Sequence, residues 1–175
     1  MVRPVSIAAR PARPDDAVAI ARIYNEGIAD RVATFETEPR SPRQVRALLA
    51  ERPERHPTVV VERDGIVTAF AWSTPYSGRP CYEGIGEFSV YVERDARRAG
   101  LGRVALDALL CECERRGLWK LVSKVFTNNA ASLRLCAATG FREVGVHVRH
   151  ARLDGGWRDV VVVERLLGEA GESGR

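Results

Sequence analysis

A strand that runs into an arginine- and glycine-rich loop and re-enters as a helix constrains this chain more than any other feature. Gly86–Val92 reads as a strand, Arg94–Gly100 as a charged loop, and Leu101–Arg116 as a helix. In that helix Val104, Ala105, Ala108, Leu109 and Cys111 or Glu112 fall at helical spacing, and Gly117 ends it. The loop Arg97-Arg98-Ala99-Gly100-Leu101-Gly102-Arg103 therefore lies at a helix N-terminus. Successive backbone N–H groups there, at the positive end of the helix, cradle a phosphate or pyrophosphate. Glycine is needed where the backbone bends sharply and meets an anion with no Cβ in between. The spacing Gly100-x-Gly102-x-x-Ala105 also fits the dinucleotide fingerprint. Three features oppose that fit: the loop is long for a tight turn, it lies mid-chain after hairpins, and the next strand ends in Lys124-Val125-Phe126 with no acid for a ribose. No GK[ST] follows, so it is not a Walker loop. A glycine loop that merely turns the chain is the plain alternative.

The flanking segments supply the rest of a mixed sheet. Val2–Ala9 reads as a first strand, and Pro14-Asp15-Asp16 caps a helix with Val18, Ile20, Ala21, Ile23 and Tyr24 on its apolar face. That helix ends near Gly27–Asp30, and the loop 31–35 is placed to carry Phe35 inward. Ser41-Pro42 starts a second helix that runs to about Arg52. Thr58–Arg63 and Val67–Ser73 form a hairpin about Asp64-Gly65. Leu118–Phe126 is a strand continuous enough to be buried on both faces. Asn128 or Asn129 caps a helix to Thr139, and Phe141–Arg152 and Trp157–Leu166 pair about Asp154-Gly155-Gly156. The order β-α-α-β-β-β-α-β-α-β-β predicts an α/β domain over residues 1–167, with helices on both faces of the sheet, and a frayed tail over 168–175.

Composition removes other classes. A chain of 175 residues, 45% apolar, supports one packed domain without disulfides. Its 27 basic and 23 acidic residues leave a net charge of +4 with no clustered basic stripe, which speaks against nucleic acid as a partner. Cys81, Cys111, Cys113 and Cys136 have neither CxxC nor zinc spacing, so no metal is expected and the thiols read as free, in a reducing compartment. No apolar leader and no membrane-length apolar run is visible, so a soluble, cytoplasmic protein without a membrane partner is expected.

Arg97-x-x-Gly100-x-Gly102 after Ser89-Val90-Tyr91-Val92, followed by Asn129-Ala130-Ala131-Ser132-Leu133 and Gly140-Phe141, resembles the GNAT superfamily of acetyl-coenzyme A-dependent N-acetyltransferases. Ile23-Tyr24-Asn25, Ala33-Thr34-Phe35, Arg79-Pro80-x-Tyr82 and Glu87-Phe88-Ser89-Val90-Tyr91-Val92 are similar to its phosphinothricin branch. Gly117-Leu118-Trp119-Lys120-Leu121-Val122-Ser123, Leu135-Cys136 and Leu153–Asp159 look most like the arsinothricin enzymes within it. The resemblance implies a mostly antiparallel sheet splayed at its central strand, with acetyl-CoA as co-substrate. It also implies acetylation of the amino group of a small amino-acid-like toxin, conferring resistance. Methionine sulfoximine, methionine sulfone or another small amine is the alternative acceptor, and an acetyl-CoA-binding sensor is the non-enzyme alternative.

The same resemblance assigns residues. Glu87 is the general base, with burial between Gly86 and Phe88 expected to raise its pKa. Val90 offers its N–H to the thioester oxygen. Val90, Tyr91 and Val92 line the pantetheine arm, and Arg97, Arg98, Ala99, Gly100, Leu101, Gly102 and Arg103 hold the pyrophosphate. Asn129 and Ser132 complete the cofactor contacts, although Asn129 is also a plain helix cap. Cys136 stands where relatives carry Tyr or His, the group assigned to protonating the departing thiolate; a buried helix thiol is its other reading. Thr34, Phe35, Arg79 and Tyr82 are the acceptor residues, Arg79 as a fork for a far anion. Phosphinothricin enzymes often carry a Lys two residues before that arginine; here Ser77 stands instead, with Arg31, Lys124 and Arg149 as replacements. The region of Trp157 and Val160–Val163 often packs two subunits in this branch, which implies a homodimer; a valine run is equally what a core strand looks like.

Overall fold

The computed structural model describes residues 5–172. Its strands are β1 (Ile7–Pro11), β2 (Thr58–Arg63), β3 (Ile66–Pro75), β4 (Ile85–Val92), β5 (Lys120–Phe126), β6 (Arg142–Leu153) and β7 (Gly156–Leu166). Its helices are α1 (Ala17–Asp30), α2 (Pro42–Glu51), α3 (Leu101–Arg115), α4 (Ala130–Ala138) and the single turn α5 (Glu169–Glu172). The order is the one expected from periodicity. Part of the first expected strand, 2–4, lies outside the described residues, and β1 runs two residues later, to Pro11. Of the tail expected to fray, 169–172 form α5 and 173–175 lie outside the described residues.

Local chemistry explains the ends. Asp64 and Gly65, at φ 53° and 81°, give the β2–β3 hairpin its left-handed turn, and Asp154 and Gly155 do the same between β6 and β7. Ser41 accepts from the Gln44 N–H, while the Gln44 side chain accepts from the Ser41 N–H.

The seven strands form one sheet in the order β1-β2-β3-β4-β5-β7-β6. Every pairing is antiparallel except β4 with β5. That parallel pairing spans only Ile85–Glu87 against Lys120–Val122. Beyond it each strand keeps its other neighbour, β4 pairing β3 as far as Val92 and β5 pairing β7 as far as Phe126. The sheet therefore splits at its centre. One core lies between the sheet and α3 with α4, around Leu106, Leu109, Leu121 and Cys136. The other lies under α1 and α2, around Ile20, Ile23, Val45, Phe70 and Trp72. β5 is not buried on both faces: Lys120, Val122 and Lys124 are half-buried, because the split leaves one face open.

One ion cluster ties the first strands to the start of α1. The Arg10 guanidinium donates to both Asp16 oxygens, at 2.7 and 2.9 Å, and to Glu62 at 2.5 Å, while the Arg13 N–H donates to Asp16 at 2.6 Å. Burial alone would push the Asp16 carboxyl up, but the hydrogen bonds from Arg10 and Arg13 outweigh it and hold it below the ordinary range. Asp16→Asn is expected to cost about 2–3 kcal/mol in urea unfolding at pH 7. The folded carboxyl ionises more readily than the unfolded one, so this stabilisation is full above about pH 4 and fades as pH falls through the folded value. The wild-type and variant curves should converge in acid; a constant gap down to about pH 2 would refute the assignment.

Candidate active site

The split between β4 and β5 organises the site. The carbonyls of Phe88 and Val92 point into it, since Phe88 O accepts from Ser123 Oγ at 2.9 Å and Val92 O from Arg97 Nε at 3.3 Å. Backbone direction alternates along a strand, so the Val90 N–H points the same way and meets no β5 carbonyl. Side chains alternate likewise. Phe88, Val90 and Val92 lie toward α3, whereas Glu87, Ser89 and Tyr91 lie toward α1.

A groove of about 560 Å³ runs from the split to the N-terminus of α3. Val90, Tyr91, Val92, Arg97, Arg98, Gly100, Leu101, Gly102, Arg103, Asn129 and Ser132 line it, as the sequence implied; Ala99 does not. Arg98 and Gly100 take left-handed φ of 67° and 77°, which curls the loop into a concave run of N–H groups. The Gly100 carbonyl receives the Arg103 and Val104 N–H groups, while those of Leu101 and Gly102 have no earlier turn of helix to bond. Arg97 is held by Asp30 at 2.6 Å, and Arg103 lies 3.5 Å from Asp107. Arg98 and Arg134 have no ion pair among the described residues. Arg134 also lines the groove and was missed; it follows from the face of α4 that carries Ala131, Ser132 and Leu135. Such a basic, N–H-rich end with an apolar strand wall suits a pyrophosphate joined to a flexible arm. Asn129 does double duty, accepting from the Ser132 N–H at 3.1 Å and donating to Val32 O at 3.0 Å, which ties the loop after α1 to the groove.

On the opposite side of the split lies a second cavity, of about 540 Å³. Thr34, Phe35 and Glu87 line it as expected, together with Tyr24, Glu36, Trp72, Lys124 and His150. Phe35 packs edge-on against Phe126, ring centroids 4.6 Å apart. Trp72 was missed, although it stands opposite Ser89 on β3 and so shares the face of Glu87. His150 was missed because β6 shifts register between His147 and Ala151, which no periodicity reveals. A space of about 70 Å³ within the split shares Val90 and Asn129 with the groove, Glu87's neighbours Phe88 and Ser89 with the second cavity, and Cys136 with neither.

Two expectations change here, and of the two readings of Cys136 the buried helix thiol is the one that holds. Glu87 is not enclosed: its side chain is 36% exposed and its Oε1 accepts from Lys124 Nζ at 2.8 Å. Arg79 and Tyr82 do not line the cavity. They sit on the loop between β3 and β4, where a 3-10 turn, Pro80–Tyr82, lays the Arg79 guanidinium 5.5 Å over the Tyr82 ring. Cys136 is 2% exposed, and burial pushes its thiol up to about 11. All four cysteines are free, Cys81 and Cys111 exposed and Cys113 and Cys136 buried. The valine run of β7 is core: Val160, Val161 and Val163 are buried, while Trp157 is exposed under the Arg152 guanidinium at 4.3 Å.

A split sheet with an anion-suited loop on one side and a carboxylate on the other suits an enzyme that passes a group between two ligands meeting in the split. Residues 20–141 match the Acetyltransferase (GNAT) family, and the chain belongs to that family. It is 37% identical to a phosphinothricin N-acetyltransferase of Alcaligenes faecalis, over 90% of this chain and 81% of that one. It is 30% identical to an L-methionine sulfoximine/L-methionine sulfone acetyltransferase of Salmonella typhimurium, over 88% and 91%. A solved phosphinothricin acetyltransferase of Sinorhizobium meliloti, in complex with acetyl-CoA, superposes with a TM-score of 0.88 at 27% identity, over 97% and 92%. Among the described residues no helix is long and apolar enough to cross a membrane, and no cluster of three metal-ligating side chains occurs.

Proposed function

We propose that this acetyltransferase moves the acetyl group of acetyl-CoA onto the α-amino group of a small amino-acid-like toxin, of the phosphinothricin or arsinothricin type, and so inactivates it. The observation that carries this is the continuous path from the basic groove through the split to the aromatic cavity that holds Glu87. In the split the thioester oxygen would take the Val90 N–H. Glu87, directly or through water, removes a proton from the acceptor ammonium, and the freed nitrogen attacks the carbonyl. The C–N bond forms, the nitrogen gives up its second proton to water, the C–S bond breaks, and the thiolate leaves toward the groove. Protonation of that thiolate falls to solvent rather than Cys136. A thiol near pKa 11 is a weaker acid than an ordinary thiol of about 8.5, so the transfer would run uphill.

A second acceptor class has its own support. Lys124 is the one Lys or Arg among the residues lining the acceptor cavity, beside the carboxylates of Glu36 and Glu87. Among the described residues a far-end anion finds no second permanent cation there, which favours neutral-ended acceptors such as methionine sulfoximine or sulfone. A homodimer and a cytoplasmic location complete the proposal. For the dimer, support comes from the edge strand β6, which leaves Val144, Val146 and Val148 exposed.

Thiol release from acetyl-CoA against phosphinothricin, arsinothricin, methionine sulfoximine, glutamate and a short peptide tests the assignment. Release with the first two alone supports the toxin class. Release with the sulfoximine alone moves the acceptor to the neutral-ended class. Acetyl-CoA binding without release to any acceptor would instead mark a sensor.

A further inference from the structure

We propose that Lys124 anchors the α-carboxylate of the acceptor, so that Lys124 and Glu87 together read the zwitterion of an α-amino acid. This rests on the amino-acid acetyltransferase assignment above. Lys124 stands two residues past Val122, the last β5 residue paired with β4, on the same open face. β5 stays paired with β7 through Phe126, so a rigid strand carries the side chain into the cavity. Its Nζ lies 2.8 Å from Glu87 Oε1, and the two side chains are 32% and 36% exposed. An ion pair so exposed contributes little net stability, so a ligand that satisfies both charges separately displaces it at small cost.

An α-amino acid carries its ammonium and carboxylate on a single carbon, a spacing matched to two side chains already within contact of each other. The carboxylate takes Lys124 and the ammonium takes Glu87, which leaves the nitrogen beside the acid that must deprotonate it. The opposite placement would set carboxylate against carboxylate. Among the described residues no competing permanent cation lines this cavity, and Arg79 lies on Tyr82 outside its wall. Phe35 and Trp72 are left for the acceptor's own side chain.

The test uses L-phosphinothricin and L-methionine sulfone, each beside its α-carboxamide, which keeps the shape and the amine but loses the carboxylate charge. Steady-state acetylation is measured with wild type, Lys124→Met and Lys124→Arg. Loss of one charged hydrogen bond predicts a rise of about 10- to 100-fold in the KM of the amino acid in Lys124→Met. The KM of the carboxamide should rise far less than that of the amino acid, any change in kcat through the Glu87 contact should fall on both acceptors alike, and Lys124→Arg should recover most of the loss. An unchanged KM for the amino acid in Lys124→Met overturns the proposal while the acetyltransferase assignment stands. So does an equal rise in KM for acid and carboxamide, which would mark a merely structural lysine. A wild-type enzyme that acetylates neither amino acid overturns both together.

Discussion

Glu87→Gln is expected to lower kcat by about 10²- to 10⁴-fold at pH 7 and to leave acetyl-CoA affinity unchanged, the usual worth of a positioned general base. Glutamine keeps the shape of the side chain and can still accept the Lys124 hydrogen bond, but it takes no proton. The fold should not suffer, since the residue is half-exposed on β4 and its backbone is fixed by pairing with Thr74 and Val122. The variant carries a signature in pH. The α-ammonium of a free amino acid, raised by its own carboxylate above the ~8 of a peptide α-amino group, is almost wholly protonated at neutral pH, and without a base only its free fraction reacts. The residual rate should therefore climb about tenfold per pH unit below the pKa of that ammonium, and the deficit against wild type should shrink in alkali. Full activity of Glu87→Gln at pH 7 would remove the carboxylate from the chemistry. A deficit that ignores pH would point to positioning instead.

The parts of this protein that local chemistry determines were legible in its sequence. The order of elements along the chain, the capping residues Ser41 and Asn129, the turn at Asp64-Gly65 and the glycine loop at Gly100 and Gly102 each rest on residues close along the chain. About half of the basic groove is built from one such stretch, β4 to α3, and that half was read from the sequence, while Gly27, Asp30, Val32, Ala33 and Arg134 from α1, its following loop and α4 were not. The acceptor cavity is assembled from α1, the loop after it, β3, β4, β5 and β6, and its content depends on register and on how far the sheet opens. In the sequence Lys124 reads, with Arg31 and Arg149, as a substitute for the far-end cation while its strand reads as buried on both faces, and the three-residue pairing of β4 with β5 turns it toward the cavity. Arg79 fails for the converse reason. Its motif was recognisable, but the turn at Pro80–Tyr82 gives its guanidinium an aromatic partner on its own loop.

Gly102→Glu is expected to weaken acetyl-CoA binding by ~100-fold or more, ~2.8 kcal/mol, in titration calorimetry. Gly102 is the second residue of α3 and lines the groove, and a Cβ there would lie 3.4 Å from Leu135 Cδ2 and from Val92 Cγ2. That contact is close but tolerable, so Gly102→Ala should bind nearly as well as wild type. Glutamate differs from alanine by filling the mouth of the loop and by setting a carboxylate where the pyrophosphate would meet the helix N-terminus. Its effect on folding runs the other way. Glycine inside a helix costs about 1 kcal/mol relative to alanine, and an acid in the first turn is favoured by the helix dipole. Gly102→Glu should therefore unfold at the same urea concentration as wild type or a higher one, while losing its co-substrate. Binding and stability thus move in opposite directions, which no general weakening of the fold can produce. Wild-type affinity in Gly102→Glu would show that the pyrophosphate sits elsewhere and that the glycines of this loop serve only to turn the chain.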